Sequence, residues 1–168
     1  MAPGARAAVI LMVTLVLAGV RVVSGSPNRP QAQPAGATND ACALITKEDA
    51  AAALGEAGSG PKSASGRSAA GSGATVSSCE YEGSGIHSVR LTLRHFTPEM
   101  ASVYRAMCEQ KGKEGLAGLG DVACWYNDKH EELQVLKGTT FFSIELRRSG
   151  KPTEAIKEIA RKAAARLK

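Results

Sequence analysis

The residues of this 168-residue chain with the most chemistry to offer are its four cysteines, Cys42, Cys79, Cys108 and Cys124. Thiols can hold a metal, act as nucleophiles or pair with one another. Zinc sites are commonly built on Cys-x-x-Cys pairs, but none occurs here, and the Cys spacings are 37, 29 and 16 residues. Pairing remains, with three connectivities open to four thiols. Cys108 closes the apolar face of a predicted helix, and Cys124 shares strand parity with Val122 and Tyr126. Cys79 has inward parity on an earlier strand, and Cys42 stands just before another helix. The expected bridges are therefore Cys42–Cys79 and Cys108–Cys124, which loop-closure entropy values at about 4 and 3 kcal/mol.

The other reactive side chains form no recognisable catalytic motif. His87 and His95 share strand parity, but eight residues of strand hold them about 26 Å apart, too far for one metal. His130 lies near a predicted turn, and all three histidines read as strand-end or surface residues. The serine-rich stretches contain no Gly-x-Ser-x-Gly elbow. Gly118-Leu119-Gly120-Asp121 precedes a strand, whereas a phosphate cradle needs a helix start after it, so it reads as a turn. Glu80 and Glu82 face Arg90 or Arg94 across a predicted hairpin as exposed pairs rather than as paired acids. No catalytic residue, metal or cofactor is expected. One feature favours binding: if Cys124, Leu133, Val135 and Phe142 point to the helices, then Trp125, Leu136 and Phe141 point to the opposite, open sheet face. That face is the expected partner-binding surface.

Composition bounds the elements that must position these residues. The chain is 43% hydrophobic, 22% charged and 4% aromatic. That balance argues for one folded domain and against a multi-span membrane protein, a coiled coil or a fully disordered chain. Residues 1–25 read as a signal peptide. Arg6 precedes the apolar run Ala7–Val20, and Val23-Ser24-Gly25 offers a small-residue cleavage site. The run is shorter than the roughly 20 residues that span a bilayer. An uncleaved anchor running on through Val23 is the alternative. Residues 26–39 hold three prolines and no large apolar residue, an extended tether. Residues 40–168 form the domain, interrupted by the Gly/Ser/Ala-rich stretch 58–75, which buries too little apolar surface to offset its ordering entropy and reads as a mobile loop.

The net charge of +5 is uneven. Residues 147–168 carry eight Lys/Arg against Glu154 and Glu158, while residues 26–146 are net negative. The basic tail reads as the solvated face of an amphipathic helix rather than a nucleic-acid site.

Three helices and five strands are expected. Thr46 caps a short helix with Ala50, Ala53 and Leu54 inward and Gly55 at its end. Thr97-Pro98-Glu99 starts a second, whose apolar face is read as Met100, Val103, Tyr104, Met107 and Cys108. A third runs from Pro152 to Leu167, with Ile156, Ile159, Ala160, Ala163 and Leu167 inward. Alternation places strands at 75–81, around Leu91, around Cys124, around Leu133 and Val135, and around Ile144. The expected fold is α+β: a single antiparallel sheet of about five strands with three helices on one face, in the order α-β-β-α-β-β-β-α. Cys79-Glu80-Tyr81 and Cys124-Trp125-Tyr126, each leading on to a helix with an early Pro, hint at an internal repeat.

Asp40-Ala-Cys42-Ala-Leu44-Ile45-Thr46, Ala-Ala-Leu54-Gly55, Cys79-Glu-Tyr81 and Gly118-Leu119-Gly120-Asp121-x-Ala123 together resemble small bacterial cell-envelope domains of unknown function. Many of these are lipoproteins, chiefly from actinobacteria, and some are similar to extracellular sensor domains of membrane kinases. The resemblance implies an exported α+β domain without known catalytic residues. Leu17-Ala18-Gly19 is followed by Val20 where a lipid-bearing Cys would stand, so lipid attachment there is excluded. The expectation is a secreted, periplasmic or cell-envelope binding or sensor-like module. It would recognise an envelope protein or small ligand, without nucleic acid and without stable membrane insertion after cleavage. An exported enzyme with an unrecognised site and a secreted enzyme inhibitor are the alternatives.

Overall fold

The computed structural model describes residues 39–67, 74–111, 116–150 and 152–167. The expected signal segment, nearly all of the tether and residues 68–73 lie outside the described residues. After a 3-10 turn (Ala41–Ala43) come α1 (Lys47–Leu54), β1 (Ser59–Arg67), β2 (Thr75–Glu82), β3 (Ser88–His95), α2 (Pro98–Gln110), β4 (Val122–Trp125), β5 (Glu132–Lys137), β6 (Thr140–Arg147) and α3 (Thr153–Arg166). All strand pairs are antiparallel, in one sheet of order β1-β2-β3-β6-β5-β4.

The α+β class and the single antiparallel sheet agree with the alternation in the sequence, but two details differ. The sheet has six strands, because β1 forms within the stretch expected to be a mobile loop. Its side chains are small or polar and exposed along its whole length. Main-chain pairing with β2 holds it, from Ser59 opposite Glu82 to Arg67 opposite Thr75. Lys62 adds an ion pair with Glu82. A strand can dock through its backbone alone, which a count of buried apolar side chains does not register.

The second correction concerns the helices, which do not share one face. The larger core lies under α1 and α3 and includes Leu44, Leu91, Leu133, Phe142, Ile144 and Ile156. The expected inner residues of α1 and α3 are all buried there. On the opposite face α2 contributes Ala101, Tyr104 and Cys108, packed on Val122, Cys124, Leu136 and Phe141. Neighbouring residues on a strand point to opposite faces, so Phe141 and Phe142 belong to different cores.

The two bridges are Cys42–Cys79 and Cys108–Cys124, the pairs expected from placement. The first ties the 3-10 turn to β2 in the larger core. The second ties α2 to β4 on the other face. Cys124 lies opposite Gln134 rather than Leu133, so it faces α2 and not the larger core. Two structural disulfides fit an oxidising, extracellular environment. No helix among the described residues is long and apolar enough to cross a membrane.

The chain order does repeat a three-stranded meander followed by a helix. The repeat does not extend to the cysteine motifs: Cys79 sits on the middle strand of its meander and Cys124 on the first strand of the other. The helices α2 and α3 also lie on opposite faces.

Two residues of the basic C-terminus, Lys162 and Arg166, have an internal use. Asp49 takes part in the α1 capping box with Thr46 and is buried. Arg166 meets its Oδ2 at 2.5 Å and donates to the Leu44 carbonyl at 2.9 Å, while Lys162 lies 3.2 Å from Oδ1. Burial pushes the Asp49 carboxyl up, but Arg166, the Thr46 amide and Lys162 outweigh it and hold the pKa at about 2. The last turn of α3 is thereby locked onto the start of α1.

Candidate functional site

The residues expected to form an open binding face do not form one. Leu136 and Phe141 are buried beneath α2. Phe141 meets the Tyr104 ring edge-on and stacks on Phe96, each at a centroid distance of 5.0 Å. Trp125 lies opposite Leu133, packs at the margin of the larger core and stacks on His130 at 4.7 Å. The register of β4 against β5 is one residue away from the expected parity, which moves Trp125 to the other face.

The exposed apolar surface lies elsewhere. Thr97 caps α2 by accepting from the Met100 amide at 3.3 Å, and Pro98 occupies its first turn. The amide at Glu99, followed by the Thr97 hydroxyl, lowers the Glu99 carboxyl pKa at this positive helix end. The inner side of α2 is Ala101, Tyr104 and Cys108. Tyr104 donates to Gln134 Oε1 at 3.0 Å, and burial raises its phenol pKa. Arg105 pairs with Asp121 at 3.4 Å, and Asp121 accepts from the Gly138 amide at 2.8 Å. The bridge at Cys108 and these polar ties fix which side of α2 meets the sheet.

Met100, Val103 and Met107 are left on the outer side, at i, i+3 and i+7. Val103 is 70% exposed. This is a correction to the face expected for the helix: Tyr104 and Cys108 are buried, but these three are not. Lys111 continues the line, donates to the Tyr126 carbonyl at 3.1 Å and stands 5.5 Å over the Tyr126 ring, which is itself 56% exposed. From Met100 to Lys111 the ridge is about 16 Å long at the helical rise.

Glu80 pairs with Arg90 at 2.9 Å across the β2–β3 hairpin. Gly118 and Gly120 turn the chain into β4 with positive φ, and a side chain at position 120 would meet the Leu136 carbonyl at 2.5 Å. His95 contacts Thr140 at 3.4 Å. His87 does not stand alone: its Nδ1 lies 2.8 Å from Glu56. Among the described residues no group of three or more His, Cys, Asp or Glu is placed to hold a metal ion. Comparison with family models, curated proteins and solved structures finds no match.

Proposed function

We propose that this chain is an exported cell-envelope module that binds another protein through the outer stripe of α2. The observation that carries this reading is the row Met100, Val103, Met107, exposed on a helix whose inner side is clamped by Cys108–Cys124. Folding alone gives no reason to hold three large apolar side chains in a line in water, whereas an amphipathic partner segment would bury them. Methionine suits such a surface because its flexible thioether adapts to its neighbour. The ridge is convex, and small ligands bind concave sites, so the occupant is a polypeptide. Lys111 at the end of the ridge favours a partner segment whose apolar residues finish in an acidic group. The signal-like N-terminus and the two disulfides support export as the setting.

A photo-crosslinking residue at Val103 of the exported protein should trap a discrete envelope protein. Adding Met107→Asp should abolish the adduct. The same crosslinker at Arg161, on the exposed side of α3, should trap nothing comparable. Equal adducts from both positions, or an adduct indifferent to Met107→Asp, would overturn the reading.

A further inference from the structure

Three loops converge at the start of β3. Glu56 follows the α1 C-cap at Gly55, His87 ends the β2–β3 turn, and Ser149 follows β6. The Glu56 carboxylate accepts from the Ser84 amide at 2.9 Å, from the Ser84 hydroxyl at 2.8 Å and from His87 Nδ1 at 2.8 Å. A side chain at Gly83 would collide with this carboxylate, so the turn leaves room for it. The Ser84 amide, then His87, hold the Glu56 carboxyl pKa down at about 2, so it is an anion across the neutral range. An anionic acceptor at Nδ1 keeps the proton there and leaves the Nε2 lone pair as the acceptor of the neutral ring. Ser149 Oγ lies 3.4 Å from that Nε2, and the Ser149 amide donates to the same nitrogen at 3.4 Å. Ser149 is exposed, while the His87 side chain is only 24% exposed.

We propose that Glu56, His87 and Ser149 form a serine-type acyl-transfer site acting on small acyl esters. The order of groups is that of an activated nucleophile: hydroxyl, base, and an anion that orients the base. The separation of 3.4 Å between Ser149 and His87 is within the looser range of unliganded sites. Beside them lies an open cleft of about 310 Å³, whose lining includes the apolar Ile86 and Leu146 and the charged Glu131, Glu145, Arg147 and Arg148. That volume is at the lower end of small-molecule sites and suits a short acyl group. Ile86, 85% exposed, provides an apolar lip without another folding role. Arg148 donates through Nη1 to the Ala53 carbonyl at 2.6 Å, while its buried Nε–H has no acceptor.

The chemistry balances without a further reactant. Ser149 Oγ attacks the ester carbonyl carbon, and its proton passes to His87 Nε2. The C–O bond to the leaving group breaks, and the departing oxygen takes that proton. Water then attacks the acyl-serine with His87 again accepting and returning a proton, which releases the acid and restores Ser149. Glu56 is a positioning residue, because it touches only His87 and the turn. The site shares no residue with the α2 ridge, and neither reading depends on the other.

The test uses the full chain, purified oxidised with both bridges mapped, a fluorophosphonate probe and p-nitrophenyl acetate. The expected result is a fluorophosphonate adduct on the peptide carrying Ser149 and measurable ester turnover. Ser149→Ala should remove both while keeping the wild-type melting temperature, since the side chain is exposed. His87→Gln should slow turnover about 100-fold, the scale of a lost general base. Glu56→Gln should lower kcat more than it raises KM and shift the pH profile, with partial rescue in Glu56→Asp. Absence of an adduct on Ser149 in correctly bridged protein overturns the proposal. So does ester hydrolysis that is unchanged in Ser149→Ala or His87→Gln.

Discussion

The two faces of the sheet are built to different ends. Under α1 and α3 the face is closed: Leu91 and Leu93 of β3, Leu133 and Val135 of β5, and Phe142, Ile144 and Leu146 of β6 are all buried in one apolar layer. On the α2 face only the part formed by β4, β5 and β6 is covered. The rest shows Ser78, Glu80, Arg90, Thr92, Ser143 and Glu145, with Glu80 and Arg90 paired across the hairpin. The closed face turns nearly all of its apolar side chains inward. The helix on the other face turns Ala101, Tyr104 and Cys108 to the sheet and leaves Met100, Val103 and Met107 in water. Buried apolar packing is therefore concentrated on one side, and exposed apolar surface on the other.

The most direct way to break this comparison is to truncate adjacent phenylalanines that serve opposite faces. Phe142→Ala should cost about 4–5 kcal/mol and Phe141→Ala about 3 kcal/mol, because the smaller cluster around Phe141 can relax toward solvent. Urea unfolding followed by circular dichroism measures both. Equal losses would mean that the two cores are equally closed. Removing the bridges probes the same asymmetry. Replacing Cys42 and Cys79 by Ser should cost about 4 kcal/mol, and replacing Cys108 and Cys124 about 3 kcal/mol. Only the second pair should free α2, seen as faster amide exchange in residues 98–110.

Acid should weaken the closed face through Asp49. Its folded pKa of about 2 lies below its ordinary value of 3.8, so its contribution is present above about pH 4 and is lost as the pH falls toward 2. The expected loss is about 2 kcal/mol, and Asp49→Asn should flatten this part of the pH profile. A profile unchanged in Asp49→Asn would remove the ion-pair lock as its cause. The smallest effect is expected on the outer stripe. Val103→Ser should change stability by less than about 0.5 kcal/mol, as befits a side chain that folding leaves exposed. A larger loss would place Val103 in a core.

The difference between the faces was only partly legible in the residues. Along α2 two stripes share the same 3–4 spacing: Met100, Val103 and Met107, and one residue on, Ala101, Tyr104 and Cys108. Hydrophobicity alone favours neither, and together they read as one broad apolar face. The signal that separates them is Cys108, since a bridged helix must turn its cysteine to the sheet. The same one-residue ambiguity governed β4, where pairing of Cys124 with Gln134 sent Trp125 to the larger core. Glu56 and Ser149 carried no local signal. Residues 31 and 62 positions from His87 in the chain meet it only because the α1, β2–β3 and β6 loops end at one side of the sheet.

What the sequence by itself determined is everything that depends on neighbours along the chain. Helix caps at Thr46 and Thr97, the turn at Gly120, alternation in β3 and β6, and the inner faces of α1 and α3 all follow from spacings of a few residues. The antiparallel α+β class and both cysteine pairs follow from those local faces. What only the tertiary structure decided is which side of the sheet each helix takes, that β1 docks by its backbone, and which distant loops share a corner. These depend on strand register and chain crossings. A shift of one residue there exchanges the faces while leaving each local pattern intact.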